Sequence, residues 1–423
     1  MVLVGGLDGC VRAGWRPAAA AEGRSAPRGR APRPARARRA RCSGAGAGAG
    51  LDVAVVGAGP AGLATAHALL SDAAGANVSS VTIFERREEL EDAVGGGIQL
   101  NGGAAILARL GLLDDSRITE VLLPCKRVRS RLCLRGDLTA IDVDVPAAMT
   151  RWPDAAELAA RPGREALAFC SMRGALQGAL AETLPEAATL RLGSNLSSAR
   201  ENANGGATLT FADGSEESFD LVVGADGIGS AVRRSLAAGA ATNGSARAPE
   251  AEYSRIRLLL GVTPADEEQS GGRSVRPASE RAEMHQWFGD GAYALLASYR
   301  GVGGRLYDQV VVCERDDTER EENASYERRA GTPEEAREAL IASARAARLP
   351  KELLDVAMRS ERVIEVGAHW HDIGVPWTSP LGSMVLLGDA AHAMPPFLGQ
   401  GCNQAMQVRA GTPPRARAAA RCC

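Results

Sequence analysis

Short apolar runs, glycine turns and amphipathic stretches alternate along most of the chain. Residues 51–56, 81–84 and 221–223 are brief, Val-rich runs, the pattern of strands covered on both faces. A fourth such run, 385–387, ends at Gly388-Asp389. An Ala/Leu-rich pattern of helical period runs from about 61 to 74, and an amphipathic helix is expected to end at 110–112. In the middle of the chain the alternation becomes two-residue, predicting strands at 128–134, 255–262, 285–288, 292–299 and 309–313. Residues 266–281 are polar without a period and read as a loop. Thr332-Pro333-Glu334-Glu335 has the cap, first-turn proline and acidic third residue of a helix start. That helix should run to about Ala347 as a solvated element.

The chemistry gathers at the turns. Gly57-Ala58-Gly59-Pro60-Ala61-Gly62 follows the first strand and opens the first helix, and Glu85 closes the next strand. This is the context a dinucleotide turn requires. Gly57 permits the tight turn, Gly59 the approach of a pyrophosphate, and Gly62 close packing of helix on strand. Glu85 can accept from ribose hydroxyls, and Arg86 follows it. A glycine pattern alone would equally serve a plain βα turn.

Residues 385–405 give the longest specific stretch: strand, Gly388-Asp389, then Pro395-Pro396-Phe397-Leu398-Gly399-Gln400-Gly401-Cys402-Asn403 opening a helix. Asp389 is placed to accept from a sugar or ribityl hydroxyl, and the helix start offers backbone N–H groups to an electron-rich ligand. Asp226-Gly227 stands at the carboxyl edge of a strand, where ligands collect in open α/β sheets. Arg173 opens the helical run 173–180. Read singly, Asp226-Gly227 is a surface turn and Arg173 a solvated helix-end charge.

Taken together and in this order, these segments resemble the flavoprotein monooxygenases related to p-hydroxybenzoate hydroxylase, from about residue 51 to 407. The resemblance implies an α/β fold: a Rossmann-like FAD-binding domain of glutathione-reductase type with an inserted mixed β-sheet substrate domain. The FAD part would comprise about 51–125, 165–250 and 365–407, and the substrate sheet about 126–164 and 251–364. It further implies FAD held by Gly57, Gly59, Pro60, Ala61, Gly62, Glu85, Arg86, Arg173, Asp226, Gly388, Asp389, Pro396, Gly399, Gly401, Cys402 and Asn403. NADPH or NADH would be a transient electron donor, there being no second glycine fingerprint in the sequence. Chemistry would run through a flavin C4a-hydroperoxide and ask for no catalytic side chain. Gly95-Gly96-Gly97 would lie near the flavin ring. His285 and Trp287, on one side of a predicted strand, are the expected substrate contacts.

The implied reaction is hydroxylation or epoxidation of a small aromatic or polyene substrate, with short likenesses to salicylate-hydroxylase-type and zeaxanthin-epoxidase-type members. Two readings compete with it: an FAD reductase of geranylgeranyl-reductase type, and a truncated chain that binds flavin without activity.

Composition alters this picture only at the ends. Net charge is −2, but residues 1–50 hold ten Arg against one Asp and one Glu, and residues 409–423 hold four Arg and no acid. The body between them is therefore strongly acidic, which argues against nucleic acid as partner. An Arg-rich, acid-poor start ending in a Gly-Ala linker reads as a transit peptide for a plastid or other organelle, with the cytoplasm as the alternative. Residues 408–423 read as an aberrant tail, because Gly411-Thr412-Pro413-Pro414 stops the helix that the family continues; an unspliced intron read as coding would explain it. No apolar run reaches eighteen residues, so no spanning helix is expected. The nine cysteines have no regular spacing and the five histidines no ligand spacing, so neither a disulfide framework nor a metal centre is predicted.

Overall fold

Val53, Ala54, Val55 and Val56 are all buried because the first strand is covered on both faces. A computed structural model describes residues 50–71, 77–91, 95–133, 138–151, 158–160, 164–240, 250–265, 276–317, 332–372 and 374–407. All of these belong to the compact unit Ala40–Cys423. The arginine-rich start, residues 266–275 of the expected loop and the tail 408–423 lie outside the described residues.

Leu51–Val56 is the centre of a parallel five-stranded sheet. On one side it pairs with Val78–Phe84 and then Ala188–Arg191, on the other with Leu221–Gly224 and then Met384–Leu386. Val53, Val55, Val81 and Ile83 point to one face, against Leu63 and Ala66 of helix Pro60–Leu69 and Leu176 and Leu180 of helix Arg173–Glu182. Ala54, Val56, Phe84 and Val222 point to the other face. There a three-stranded antiparallel sheet within residues 196–219 and helix Ala231–Ala240 cover them. Phe84 anchors that layer, with ring centroids 4.9 Å from Phe211 and 5.7 Å from Phe219. The small sheet was not visible as a pattern, because its strands are short and mostly polar on one side.

The second sheet runs in the order Arg362–Trp370, Glu252–Pro264, Leu306–Arg315, Ala292–Arg300, Glu283–Phe288, Arg127–Leu132, Leu138–Asp144. It contains every strand expected from two-residue alternation. Register defines its two faces. On the face turned to the nucleotide part, cross-strand rows read Val366–Leu258–Cys313–Tyr293, Ile364–Leu260–Val311–Leu295 and Arg362–Val262–Gln309–Ala297. Val262, Leu295, Ala297 and Tyr299 join the same core as Val53 and Leu63, so the two sheets share one hydrophobic interior.

The opposite face carries Leu259, Trp287, Ala294, Leu296, Val310 and Val312, packed under helices Pro333–Ala346 and Lys351–Arg359. The first of these helices begins as its sequence demands. Thr332 accepts from Glu335 N at 3.2 Å, and Glu335 accepts from Thr332 N at 2.8 Å. It is not a solvated element, however: Leu340, Ser343 and Ala344 recur at helical spacing and seat it on the sheet.

Two expectations are corrected by this register. His285 and Trp287 do share a face, but it is the helix-covered one, opposite His285↔Leu296 and Trp287↔Ala294. Trp287 is fully buried among the aliphatic side chains of the two helices. The alternation was right and its phase unreadable, since either side of this strand is apolar. Among the described residues no helix is long and apolar enough to cross a membrane.

Trp287→Ala should therefore lower the unfolding free energy by about 3–5 kcal/mol in denaturant titration, as expected for a large buried ring. The substrate KM of the folded fraction should be unchanged; a raised KM would return Trp287 to the substrate side.

Candidate active site

The glycine turn is a steric necessity at two positions. Gly57 has φ +104°, and a Cβ there would lie 2.4 Å from Ala225 O. A Cβ on Gly62 would fall 2.0 Å from Gly57 O. Gly59 differs, because nothing lies within 4 Å of its would-be Cβ. It caps helix Pro60–Leu69 without a side chain, and Pro60 has no N–H to lose. The N–H groups of Ala61 and Gly62 precede the first intrahelical bond, Leu63 N to Gly59 O at 3.0 Å, and are directed outward at the positive end of the helix. A turn closed behind and open in front suits a diphosphate.

Two side chains hold this turn from outside. Glu85 Oε2 accepts from Ala58 N at 3.0 Å and Oε1 from Arg87 N at 3.1 Å. Gln177 Nε2 donates to Ala58 O at 2.6 Å from inside the protein. The sequence showed Gln177 only as one residue of the Arg173 helix; its place one turn after Arg173 is the signal that could have found it. Arg86 is exposed beside the turn.

Asp389 begins a one-turn helix, Asp389–His392, after Gly388 at φ +58°. Its carboxylate is exposed to solvent, yet enough protein surrounds it for burial to raise its pKa above the usual range, against the opposing pull of Arg173 and His392. Both statements hold for a group on the wall of a concavity. Arg173 stands opposite on its own helix. Its N–H donates to Gly96 O at 3.1 Å, and its Cδ lies 3.3 Å from where Gly95 would carry a Cβ. Arg173, Asp389, Cys402 and the Gly95–Gly97 segment thus meet at one place. The Cys402 thiol is pushed up to about 12 by burial and is not a nucleophile at neutral pH.

Asp226 has another task. Its carboxylate accepts from Ser230 Oγ, from Ala231 N at 2.6 Å and from Val232 N at 3.2 Å, so it caps helix Ala231–Ala240. At the glycine turn, the backbone of Ala225-Asp226 lies nearest to where Gly57 would carry a Cβ. From the same helix, buried Arg233 donates to the carbonyls of Ala390, Ala391 and Asp372 at 3.1–3.2 Å, tying the Asp389 segment down.

Asn403 is wholly buried and uses its full amide capacity on protein. Oδ1 accepts from Asn101 N at 2.8 Å and Gly103 N at 2.9 Å, and Nδ2 donates to Gln99 O at 2.9 Å and Gly399 O at 2.8 Å. Gly399 is left-handed at φ +59°, with Gln99 Oε1 2.6 Å from its would-be Cβ. Space is open at Gly401. Pro396 is exposed on the turn that presents Phe397 edge-on to Tyr293, centroids 6.2 Å apart.

The Gly95–Gly97 segment lies on the sheet. Gly97 N donates to Gln309 Oε1 at 2.6 Å, and a Cβ on Gly97 would enter the Tyr299 ring. Tyr299 accepts from Gln99 Nε2 at 2.6 Å. Of the three glycines, read as a loop near the ring, Gly96 and Gly97 are needed for this contact and Gly95 lies against Arg173; Gln309 and Tyr299 carried no sequence signal beyond strand alternation.

Among the described residues, Glu280, His285 and Glu352 form the one group whose ligand atoms lie within 4.8 Å of each other. Arg131 already occupies it, 3.4 Å from His285 Nδ1 and 3.5 Å from Glu352. A second cation there would meet that charge.

Asp389 carries opposing consequences for binding and stability. Its raised pKa means the ionised form is disfavoured in the folded apoprotein, a penalty present above the folded pKa and relieved as pH falls through it. Asp389→Asn should therefore raise apoprotein Tm at pH 7 while weakening FAD binding about tenfold or more through loss of a charged acceptor. Wild-type FAD affinity should fall on acidification from a pH above the usual Asp value of 3.8, and the variant's should stay flat. Equal FAD affinity of the two proteins at pH 7 would remove Asp389 from the site.

Comparison with known proteins agrees with this geometry. The model of a family described as FAD binding domain matches residues 50–409. A 3-amino-4-hydroxybenzoate 2-monooxygenase of Streptomyces cremeus is 30% identical over 366 residues, 84% of this chain and 76% of that protein. A second of that name, PtnB3 of Streptomyces platensis, is 29% identical over 367 residues, with the same coverage. Klebsiella pneumoniae HpxO, solved with FAD and uric acid, shares the fold at TM-score 0.63 and 20% identity, over 88% of this chain and 83% of that one. So does 2,6-dihydroxypyridine-3-hydroxylase of Arthrobacter nicotinovorans, at TM-score 0.63 and 15% identity over 88% and 87%. With the fold, the glycine turn and the Asp389 segment in agreement, this chain belongs to the FAD-binding family of flavoprotein monooxygenases.

Proposed function

We propose that this FAD-dependent monooxygenase takes electrons from NADPH or NADH and places one atom of molecular oxygen on a small aromatic substrate held against the second sheet. The observation that carries the substrate reading is the face formed by Leu260, Val311, Leu295, Cys313, Tyr293 and Val366. It is apolar apart from the Tyr293 hydroxyl and the Cys313 thiol, these six residues include no carboxylate, and Phe397 approaches from the Asp389 side. Such a face accepts a planar apolar ring and excludes water from it. The relatives named for 3-amino-4-hydroxybenzoate support an aromatic substrate over a polyene.

FAD, when bound, supplies hydride acceptance and oxygen activation. The residues of this chain bind and orient. The turn Gly57–Gly62 would take the diphosphate, Glu85 the adenosine ribose, and Asp389 with Arg173 the ribityl side of the ring. Pro396 and the Gly95–Gly97 segment would limit the ring's movement, and the start of helix Gly401–Met406 would favour negative charge on it. Asp226 and Asn403 act on this site through the segments they fix. Tyr293, with its hydroxyl bonded to Gln286, is pushed up by burial and stays protonated at neutral pH. It can donate to a substrate oxygen but cannot serve there as an ionised base.

The test is isotopic. Purified enzyme, NADPH or NADH, ¹⁸O₂ and a panel of hydroxy- and aminobenzoates should yield a product carrying one labelled oxygen, with FAD as the extracted flavin. Reduction of an unsaturated substrate without label would identify a reductase instead, and extracted FMN would overturn the assignment of Glu85 and the glycine turn.

A further inference from the structure

Strand Phe169–Met172, buried along its whole length, backs the flavin site. Strand Gly97–Leu100 pairs with it on one side, Gln99 opposite Cys170, and Leu123–Pro124 on the other, Leu123 opposite Cys170. Cys125 N donates to Ala168 O at 2.8 Å, which extends the second pairing by one residue. Alternation then puts Cys125 and Cys170 on one face of the two chains as diagonal neighbours. Both are free thiols in the core that the two sheets share. The Cys170 thiol donates to the Cys125 sulfur, and that bond together with burial raises it well above the ordinary thiol value. Cys125 is lowered, first by the same bond, with Arg276 as the positive charge nearby. Cys313 and Cys402 are instead pushed up to about 12 by burial. Tyr299, on which Gly97 lies, has both Cys125 and Cys170 within electrostatic reach.

We infer that Cys125 and Cys170 are a reversible dithiol pair, oxidised to a disulfide by hydrogen peroxide, and that the disulfide loosens the hold on FAD. Hydrogen peroxide is what oxygen becomes at a reduced flavin when no substrate is oxygenated, so the oxidant belongs to this enzyme's own chemistry. Oxidation takes two balanced steps. The Cys125 sulfur attacks peroxide, the O–O bond breaks, and a sulfenic acid and one water form. The Cys170 sulfur then attacks the sulfenic sulfur; the S–O bond breaks, and the second water leaves with the thiol proton. Two thiols are oxidised and one peroxide is reduced to two waters. Cys125 acts first because the thiolate is the reactive form. Diagonal neighbours stand wider than the about 3.8 Å between Cβ atoms of a relaxed disulfide, so closing the bond draws strand 169–172 toward residue 125. Arg173 follows that strand directly, its N–H held by Gly96 O. Gln99, opposite Cys170, gives its carbonyl to Asn403 and its amide to Tyr299. A shift at Cys170 therefore reaches Arg173 and the Gly95–Gly97 segment, whatever the substrate is.

The test uses the full-length protein with FAD bound, its flavin content measured first. The protein is treated with hydrogen peroxide, its remaining thiols are alkylated in denaturant, and its peptides are mapped by mass. The expected product is a peptide pair linked through Cys125 and Cys170, lighter by two hydrogens and separated again by dithiothreitol. Mapping distinguishes this link from any made by the chain's other cysteines. The oxidised protein should bind FAD about fivefold more weakly or worse, within the usual range of coupling between two sites, and dithiothreitol should restore the affinity. Methionine sulfoxide is reversed by its own reductases and not by dithiothreitol, so the reversal singles out the thiols. Cys125→Ala and Cys170→Ala should each hold FAD as the reduced wild type does and show no change that dithiothreitol reverses. Both thiols still open to alkylation after treatment, or either carried on to a sulfinic acid, would overturn the inference. So would a linked peptide with unchanged FAD affinity, or a reversible loss of FAD that persists in both variants.

Discussion

The site depends on one buried amide. Asn403 joins the last described helix to the strand and helix at residues 97–109, about three hundred positions earlier in the chain. Its two donors and two accepting lone pairs are all satisfied. The four bonds meet on one buried side chain, and removing the amide would leave four backbone groups without this partner, the buried Gly103 N–H among them. The left-handed Gly399 is fixed by it, and with Gly399 the turn that carries Phe397 toward the sheet. Through Gln99, the same strand reaches Tyr299, on which Gly97 lies. One side chain thereby sets the separation between the Asp389 segment, the glycine segment and the substrate face.

Around this pin the protein keeps few charges. Asp389 faces Arg173, while Asp226, Cys402 and Tyr293 are all shifted toward their neutral forms by burial. Such surroundings strengthen the few polar contacts a cofactor makes. They also store cost in the apoprotein, as expected where a site is preserved against stability.

What the sequence disclosed follows from locality. Gly57, Gly62, Glu85 and Asp389 were legible because a turn, a helix start and an acidic strand end lie within a few residues of one another. The strands of the second sheet were legible as alternation, and the Thr332 cap as a motif. The phase of alternation was not legible: His285 and Trp287 face helices that close the sheet from 333 onward, and strand 283–288 has apolar partners on both sides. Gln177, Gln309 and Tyr299 matter through contacts far away in sequence, and no local pattern marks them. Asp226 shows the converse, a readable motif whose carboxylate is spent on a helix cap.

On the function proposed above, FAD retention depends on the bonds by which Asn403 pins distant segments together. The most direct measurement is the flavin-to-protein absorbance ratio of Asn403→Ala beside wild type, with far-UV circular dichroism to establish that the variant is folded. The variant should fold, lose most of its FAD and release the remainder on dilution. Wild-type occupancy and retention in a folded Asn403→Ala protein would contradict it.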